Sequence, residues 1–223
     1  MPGLSARDAA AQLGVSVRRV GQMISLGQLD AERIGNQWII DPASVPARAH
    51  RPGRPLAPRA ALALLLHSDP GAAPWLRADE AHRLRVKVRS LRGDPGALER
   101  VRSWLSARAQ VERLSAPDPA DLLADPRVVR SGVSDPRSGM SAASQAEVYV
   151  HENDRDAVVG DHLLVPASHS RANVVLHVSP LPMPDPAPLL AIAVDLADDG
   201  GPREYQRAEE LFAQWIAEMK ERA

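Results

Sequence analysis

With 223 residues the chain is long enough to bury a sizeable core and to form two domains, but 20 Pro and only 3% aromatic residues mean that long connections interrupt its 44% hydrophobic content. Cys is absent, which excludes disulfides, thiolate metal sites and cysteine nucleophiles; no N-terminal apolar stretch has signal-peptide character and Ala60 to Leu66 is too short to span a bilayer, so a soluble, cytoplasmic protein is expected. The net charge of −1 hides a division: residues 1–115 hold 18 Lys/Arg against 10 Asp/Glu, a balance of +8, and residues 116–223 hold 9 against 18, a balance of −9. A basic first half suits nucleic acid, whereas an acidic second half would be repelled by phosphate.

The first 50 residues predict a helix-turn-helix followed by a small wing. Ser5 is placed to cap a first helix whose Ala9, Ala10 and Leu13 share a face, and Gly14 ends it by supplying a left-handed backbone. Val15 is expected to plug the core from the turn, and Ser16 to cap a second helix running from Val17 to about Leu26 before Gly27. Val20, Met23 and Ile24 recur at helical spacing and should face the first helix. Ser16, Val17, Arg18, Arg19, Gln22 and Ser25 are left outside. Arg and Gln near the start of such a helix are the side chains that make bidentate contacts to guanine and adenine edges. Gly21 is unfavourable inside a helix by about 1 kcal/mol against Ala, which predicts a close neighbour, either the first helix or a bound phosphate, with the helix preferred.

Two short apolar runs, Ala31 to Ile34 and Gln37 to Ile40, flank Gly35-Asn36, a pair suited to a tight hairpin turn. In this wing Trp38 should anchor on the helices, while Arg33, Asn36 and Gln37 meet the DNA backbone or minor groove. Asp41-Pro42 then opens a further short helix. The run Leu13-Gly14-Val15-Ser16 with Arg18-Arg19-Val20, then Gly27-Gln28-Leu29, then Trp38-Ile39-Ile40-Asp41 resembles the excisionase and MerR-type winged helix, and the resemblance implies double-stranded DNA as a partner.

Residues 51–58 belong to a basic, Pro-rich linker that carries Arg51 and Arg54, with Arg48 and Arg59 on either side. Its Arg-Pro-Gly-Arg-Pro core is similar to the minor-groove segment of AT-hooks with Pro52 inserted. A phosphate-contacting arm and a bare linker both fit. Beyond it, Arg59 to Leu66 predicts a short buried helix. Pro74 to Leu91 predicts a longer one, its apolar stripe of Leu76, Ala81, Leu84, Val88 and Leu91 opposed by Arg77, Arg83, Arg85, Lys87, Arg89 and Arg92. Pro95 to Ala107 predicts an amphipathic helix through Leu98, Val101, Trp104 and Leu105. Ala116 to Pro119 breaks the pattern.

In the acidic half, Glu147 to Val150, Leu163 to Pro166, Asn173 to Val178 and Leu189 to Val194 read as strands, the last apolar enough to be central. Asp154 to Val159 reads as a short helix, and Pro202 to Glu221 as a closing helix with Leu211, Trp215 and Ile216 inward. The expected fold class is α+β: a winged helix-turn-helix over residues 1–50 and, over residues 59–223, a small sheet covered by helices.

Val129-Arg130-Ser131-Gly132, Glu147-Val148-Tyr149-Val150, Asn173-Val174-Val175-Leu176 and Ala193-Val194-Asp195-Leu196-Ala197 followed by Pro202-Arg203-Glu204 resemble, in that order, the C-terminal domain of AbiEi-type antitoxins over roughly residues 57–220. The resemblance implies a transcriptional autorepressor that binds its own promoter, with a homodimer on DNA compatible, and that counteracts a nucleotidyltransferase toxin of the AbiEii type by direct contact or indirectly.

Enzymatic chemistry is not expected. The seven His include no pair at the i, i+4 spacing of a helical metal site, and although His151, His162, His169 and His177 could converge, satisfied imidazoles are the preferred reading, with no metal and no cofactor. Gly93 to Gly96 and Asp198 to Gly201 are turn sequences without the Lys-Ser/Thr of a phosphate loop, and no nucleophile elbow is present. Asp195, Asp198 and Asp199 are expected at a strand end entering a turn, where they are solvated. Two other functions stay open: a stand-alone regulator with a ligand-sensing C-terminal domain, and an excisionase-like architectural protein.

Overall fold

The computed structural model describes residues 3–25, 29–35, 37–45, 54–66, 73–140, 144–199 and 201–221. The first unit opens with a two-residue strand β1 (Leu4–Ser5), then helices α1 (Ala6–Leu13) and α2 (Val17–Ser25), and a hairpin of β2 (Ala31–Ile34) and β3 (Gln37–Ile40). Ser5 caps α1 by accepting from the Asp8 N–H, and Gly14 ends it at φ 64°. Ser16 Oγ accepts from the Arg19 N–H at 3.2 Å and starts α2. The hairpin pairs Ile34 with Gln37 across Gly35, which takes φ 60°, and β1 adds to β3 to give a three-stranded antiparallel sheet of order β1-β3-β2. A short 3-10 turn, Pro42–Ser44, follows Asp41 as expected. Ala9, Ala10, Leu13, Val20, Leu29, Ile40 and Val45 form the core, with Met23 and Ile24 packed on it.

Three local expectations fail here. Val15 is 37% exposed and plugs nothing; the turn instead closes through its backbone, the Val15 N–H donating to the Ala10 carbonyl. Trp38 is likewise 37% exposed. It lies on the same side of β3 as buried Ile40 but one pleat nearer the hairpin tip, and it is not part of the core that Ile40 joins. A β-carbon added at Gly21 would have nothing within 4 Å, so no part of the first helix explains that glycine.

The second unit begins with α3 (Pro58–Leu66), α4 (Ala78–Arg89) and α5 (Ala97–Leu105), near the expected bounds. Strand β4 (Gln110–Ser115) follows, then α6 (Pro119–Leu122), β5 (Val128–Arg130), two 3-10 turns at 132–134 and 136–138, β6 (Ala146–His151), α7 (Arg155–Asp161), β7 (Val165–Pro166), β8 (Val174–Ser179), α8 (Leu189–Asp199) and α9 (Pro202–Glu221). The five strands form one sheet of order β5-β6-β8-β4-β7, in which β6 and β8 run parallel at the centre and every other pair is antiparallel. The α+β class holds, and no helix among the described residues is long and apolar enough to cross a membrane.

Alternation along the strands sorts this sheet into two unlike faces. Ala146, Val148 and Val150 of β6, Val174 and Leu176 of β8 and Leu114 of β4 pack with Leu122 and Val158 of α6 and α7 into an apolar core. The intervening positions, Glu147, Tyr149 and His177, face the other way and are also buried. They are covered by α8, which packs against α3, α5 and α9.

The run Leu189 to Val194 is the start of α8, a helix and not a strand. Residues 190–197 are all at most 5% exposed, because the sheet lies on one side of α8 and helices on the others. A helix buried all round shows no amphipathic period, so a short apolar run is as compatible with it as with a central strand.

Candidate functional site

The expected DNA-contacting residues divide by exposure. Ser16, before α2, and Val17, Arg18, Arg19 and Gln22 on it are all exposed, with Arg18, Arg19 and Gln22 sharing one side of the helix, and Arg33 and Gln37 are exposed on the hairpin. Arg54 is exposed beyond it, while Asn36 and Arg51 lie outside the described residues. Val20 is fully buried, with Met23 and Ile24 packed beside it, while Arg18, Arg19 and Gln22 are exposed, so the helix presents a polar side outward; apolar Val17, 51% exposed, stands outside that core. Arg19 Nη1 reaches Gln22 Oε1 at 3.5 Å, and neither Arg18 nor Arg19 has an ion-pair partner among the described residues. Ile34, 60% exposed, and Trp38 add apolar surface toward the hairpin tip.

A second constellation lies between the sheet and α8, where solvated acids were expected. Asp195 is fully buried. Its Oδ1 accepts from Arg108 Nη2 and, at 3.0 Å, from the Tyr149 hydroxyl; its Oδ2 accepts from Ser131 Oγ. Arg108 also donates from Nε to the Tyr149 oxygen at 2.8 Å and from Nη2 to Asp198 Oδ2 at 3.0 Å. Asp198 accepts from Arg102 Nε at 2.8 Å, and Arg102 grips Glu99, which also accepts from the Tyr205 hydroxyl at 2.6 Å. On the sheet side His177 Nε2 lies 3.1 Å from Glu147 Oε1 and 3.9 Å from Asp195 Oδ1, with the Tyr149 ring stacked on the imidazole at 4.6 Å.

Burial is expensive for each of these charges, and their proximity reverses its effect. Burial raises the pKa of the Tyr149 hydroxyl well above 10 against the opposing pull of the Arg108 cation, so Tyr149 stays protonated and donates. Burial would also favour neutral His177, but the Asp195 and Glu147 carboxylates outweigh it and lift its pKa above 6.5. Asp198, which burial alone would raise, is held below 3.8 by Arg108 and Arg102.

Glu147 is fixed by local backbone. Gly132 takes φ +47°, and a β-carbon there would stand 1.6 Å from Glu147 Oε2; only glycine leaves the carboxylate room to accept from the Val133 N–H at 3.0 Å. Next to it opens a cavity of about 250 Å3 whose walls include Arg113, Gln145, Glu147, Asn173, Asp195 and Glu204. One ligand atom from each of Glu147, His177 and Asp195 falls within 4.8 Å of the others, and all three residues are buried.

The four histidines do not form one site. His177 belongs to this cluster, whereas His162 bridges Asp121 and Asp125, at 2.8 Å each, on the other side of the sheet. Nor is every imidazole satisfied: buried His177 Nδ1 has no hydrogen-bond partner. No family model, no curated protein and no solved structure matches this chain.

Proposed function

We propose that the protein is a DNA-binding transcriptional regulator that represses its own promoter, reading the major groove with α2 and touching flanking backbone or minor groove with the β2-β3 hairpin. The observation that carries this is the exposed row Ser16, Val17, Arg18, Arg19 and Gln22 on a helix anchored from behind by Val20, Met23 and Ile24. Two guanidinium groups without ion partners at the start of an anchored helix supply both phosphate attraction and bidentate base contacts. Gly21 fits the same picture: open space beside its α-carbon admits close approach of a phosphate.

On the resemblance of its C-terminal motifs, we extend the proposal to an antitoxin that counteracts an AbiEii-type nucleotidyltransferase toxin, acting in the cytoplasm and without enzymatic activity of its own. A second reading, a ligand-responsive regulator, is favoured by the polar cavity beside Glu147 and Asp195. Fluorescence anisotropy with the gene's own promoter and an unrelated duplex, each at two salt concentrations, tests the first part. Preference for the promoter that survives higher salt supports it; equal, steeply salt-dependent binding to both duplexes reduces it to charge attraction. Growth rescue from a co-expressed nucleotidyltransferase toxin tests the second.

A further inference from the structure

We infer that Val17 is a specificity-determining residue that contacts the 5-methyl group of a pyrimidine, thymine or 5-methylcytosine, in the major groove, an assignment that rests on α2 as the helix that reads DNA. Exposed charge carries that reading of α2; exposed apolar surface carries this one. Four of the eight large apolar side chains exposed among the described residues, Val15, Val17, Ile34 and Trp38, fall in the first unit, although it holds far fewer of those residues than the second. Such side chains scattered singly need no explanation, whereas their concentration marks a contact surface. Two of the four stand at the entry to α2 and two on the hairpin next to its turn.

Val17 is the first residue of α2 and is 51% exposed. The inward side of the helix belongs to Val20, Met23 and Ile24, and the core they join does not include Val17. Its own helix leaves it uncovered as well. Gly21, one turn further along the same flank, has no side chain, and nothing lies within 4 Å of the place its β-carbon would take. Ser16 Oγ accepts from the Arg19 N–H and fixes the backbone where the helix starts. A β-branched side chain in a helix keeps close to one rotamer, so Val17 presents its two methyl groups in a set direction and loses little freedom on contact.

The chemistry of the groove says what such a group meets. Base edges there offer hydrogen-bond donors and acceptors at every pair and one methyl group, on C5 of thymine; cytosine methylated at C5 presents the same group from the same ring position. Arg18, Arg19 and Gln22 suit the polar edges of guanine and adenine, which valine cannot use. At the start of the helix, where side chains reach base edges, Val17 is matched to the methyl group. Removing one methyl group from water against Val17 corresponds to about fourfold in affinity. Unlike the arginine contacts it displaces no counterions, so its effect is the same at low and high salt.

The test uses the full-length chain and three forms of the gene's own promoter: the natural duplex, one with deoxyuridine for every thymidine, and one with 5-methylcytosine for every cytosine. Fluorescence anisotropy at two salt concentrations is the readout. If thymine is the partner, the wild type should lose at least about threefold in affinity on the deoxyuridine duplex. Val17→Ala should show that loss already on the natural duplex and no further loss on the substituted one. If methylated cytosine is the partner, a gain of at least about threefold should appear on the methylated duplex in the wild type and be absent in Val17→Ala. Val17→Ile, which keeps the branched apolar surface, should respond as the wild type does, and neither factor should change with salt. A wild type that prefers its promoter over an unrelated duplex yet binds all three forms alike overturns the assignment and leaves α2 as the reading helix. So does a methyl response as large in Val17→Ala as in the wild type. A Val17→Ala chain that fails to fold would place the side chain in the core and overturn it too. Equal wild-type binding to promoter and unrelated duplex overturns both the assignment and the reading of α2.

Discussion

The chain uses the same residue types in opposite ways at its two ends. On α2, Arg18 and Arg19 stand in solvent without ion partners among the described residues; between the sheet and α8, Arg102 and Arg108 are 3% and 7% exposed, Arg102 donating to two carboxylates and Arg108 to two carboxylates, a phenol and a carbonyl. A guanidinium that keeps its water is available to a partner, and its removal leaves the fold intact. One that has exchanged its water for internal acceptors is committed, and its loss is felt by everything it touches. Charge alone therefore does not mark a binding face; the presence or absence of internal partners does.

The contrast breaks most sharply at Asp195. Asp195→Ala takes one of two carboxylates from buried Arg108 and the acceptor from the Tyr149 and Ser131 hydroxyls, and should remove about 3–5 kcal/mol of stability, seen as a lower urea midpoint by tryptophan fluorescence. A midpoint within about 0.5 kcal/mol of wild type would mean that water reaches the network. At the other end, Arg18→Ala and Arg19→Ala should each cost about 1–3 kcal/mol of binding to the promoter and relax its sequence preference, with melting unchanged. Unaltered anisotropy in the double variant would remove α2 from the DNA contact.

Gly21→Ala sharpens the difference further. With nothing within 4 Å of the new methyl group, it should stabilise the fold by about 0.5–1 kcal/mol through helix propensity alone, read as a higher melting temperature. A pH-dependent effect lies at Asp125, whose carboxylate is held well below 3.8 by Arg127, with His162 assisting against the effect of burial. A depressed folded-state pKa contributes stability above the unfolded value and loses it as pH falls toward the folded one. The melting temperatures of wild type and Asp125→Asn should therefore converge below about pH 4; a constant gap would deny the carboxylate its role.

Much of this was legible where a single side chain does a local job. Ser5, Gly14 and Ser16 marked the ends of α1 and α2, and Gly35 the hairpin turn, because caps and turns are decided within four residues. The α9 bounds, Pro202–Glu221, follow from a Pro start and a strong amphipathic period. What was not legible depends on neighbours far away in sequence. Strand β4 was missed because Gln110, Glu112 and Arg113 look like surface; Glu112 in fact pairs with Arg155 of α7 at 2.6 Å, and the strand is held between β8 and β7. The polar cluster was hidden for the same reason: Glu147, Tyr149 and His177 alternate with Val148 and Leu176 like a solvated face, and only α8 laid across them makes that face an interior.

The charge division also changes meaning once the fold is known. The boundary between residues 115 and 116 falls at the end of β4, inside the second unit, since β4 pairs with β8 and α5 packs on α8. Counted instead on either side of residue 54, where the described residues resume after the hairpin unit, residues 1–53 carry 6 Lys/Arg and 4 Asp/Glu and residues 54–223 carry 21 and 24, balances of +2 and −3. Asp195, Glu147, Asp135 and Asp125 also have side chains at most 5% exposed, so the acidic half presents far less negative surface than its composition suggests.

The spacing of the buried pairs along the chain has a consequence for synthesis. Arg102 and Asp198 are 96 residues apart and Arg108 and Asp195 are 87. At roughly 5–20 residues per second on the ribosome, about 4–20 s separate the emergence of each cation from that of its carboxylate. During that interval α5 has left the ribosome but cannot settle on α8, and the sheet lacks the helix that closes its polar side. A message cut short between codons 108 and 195 therefore yields a chain with two guanidinium groups lacking these carboxylates and a sheet without its covering helix.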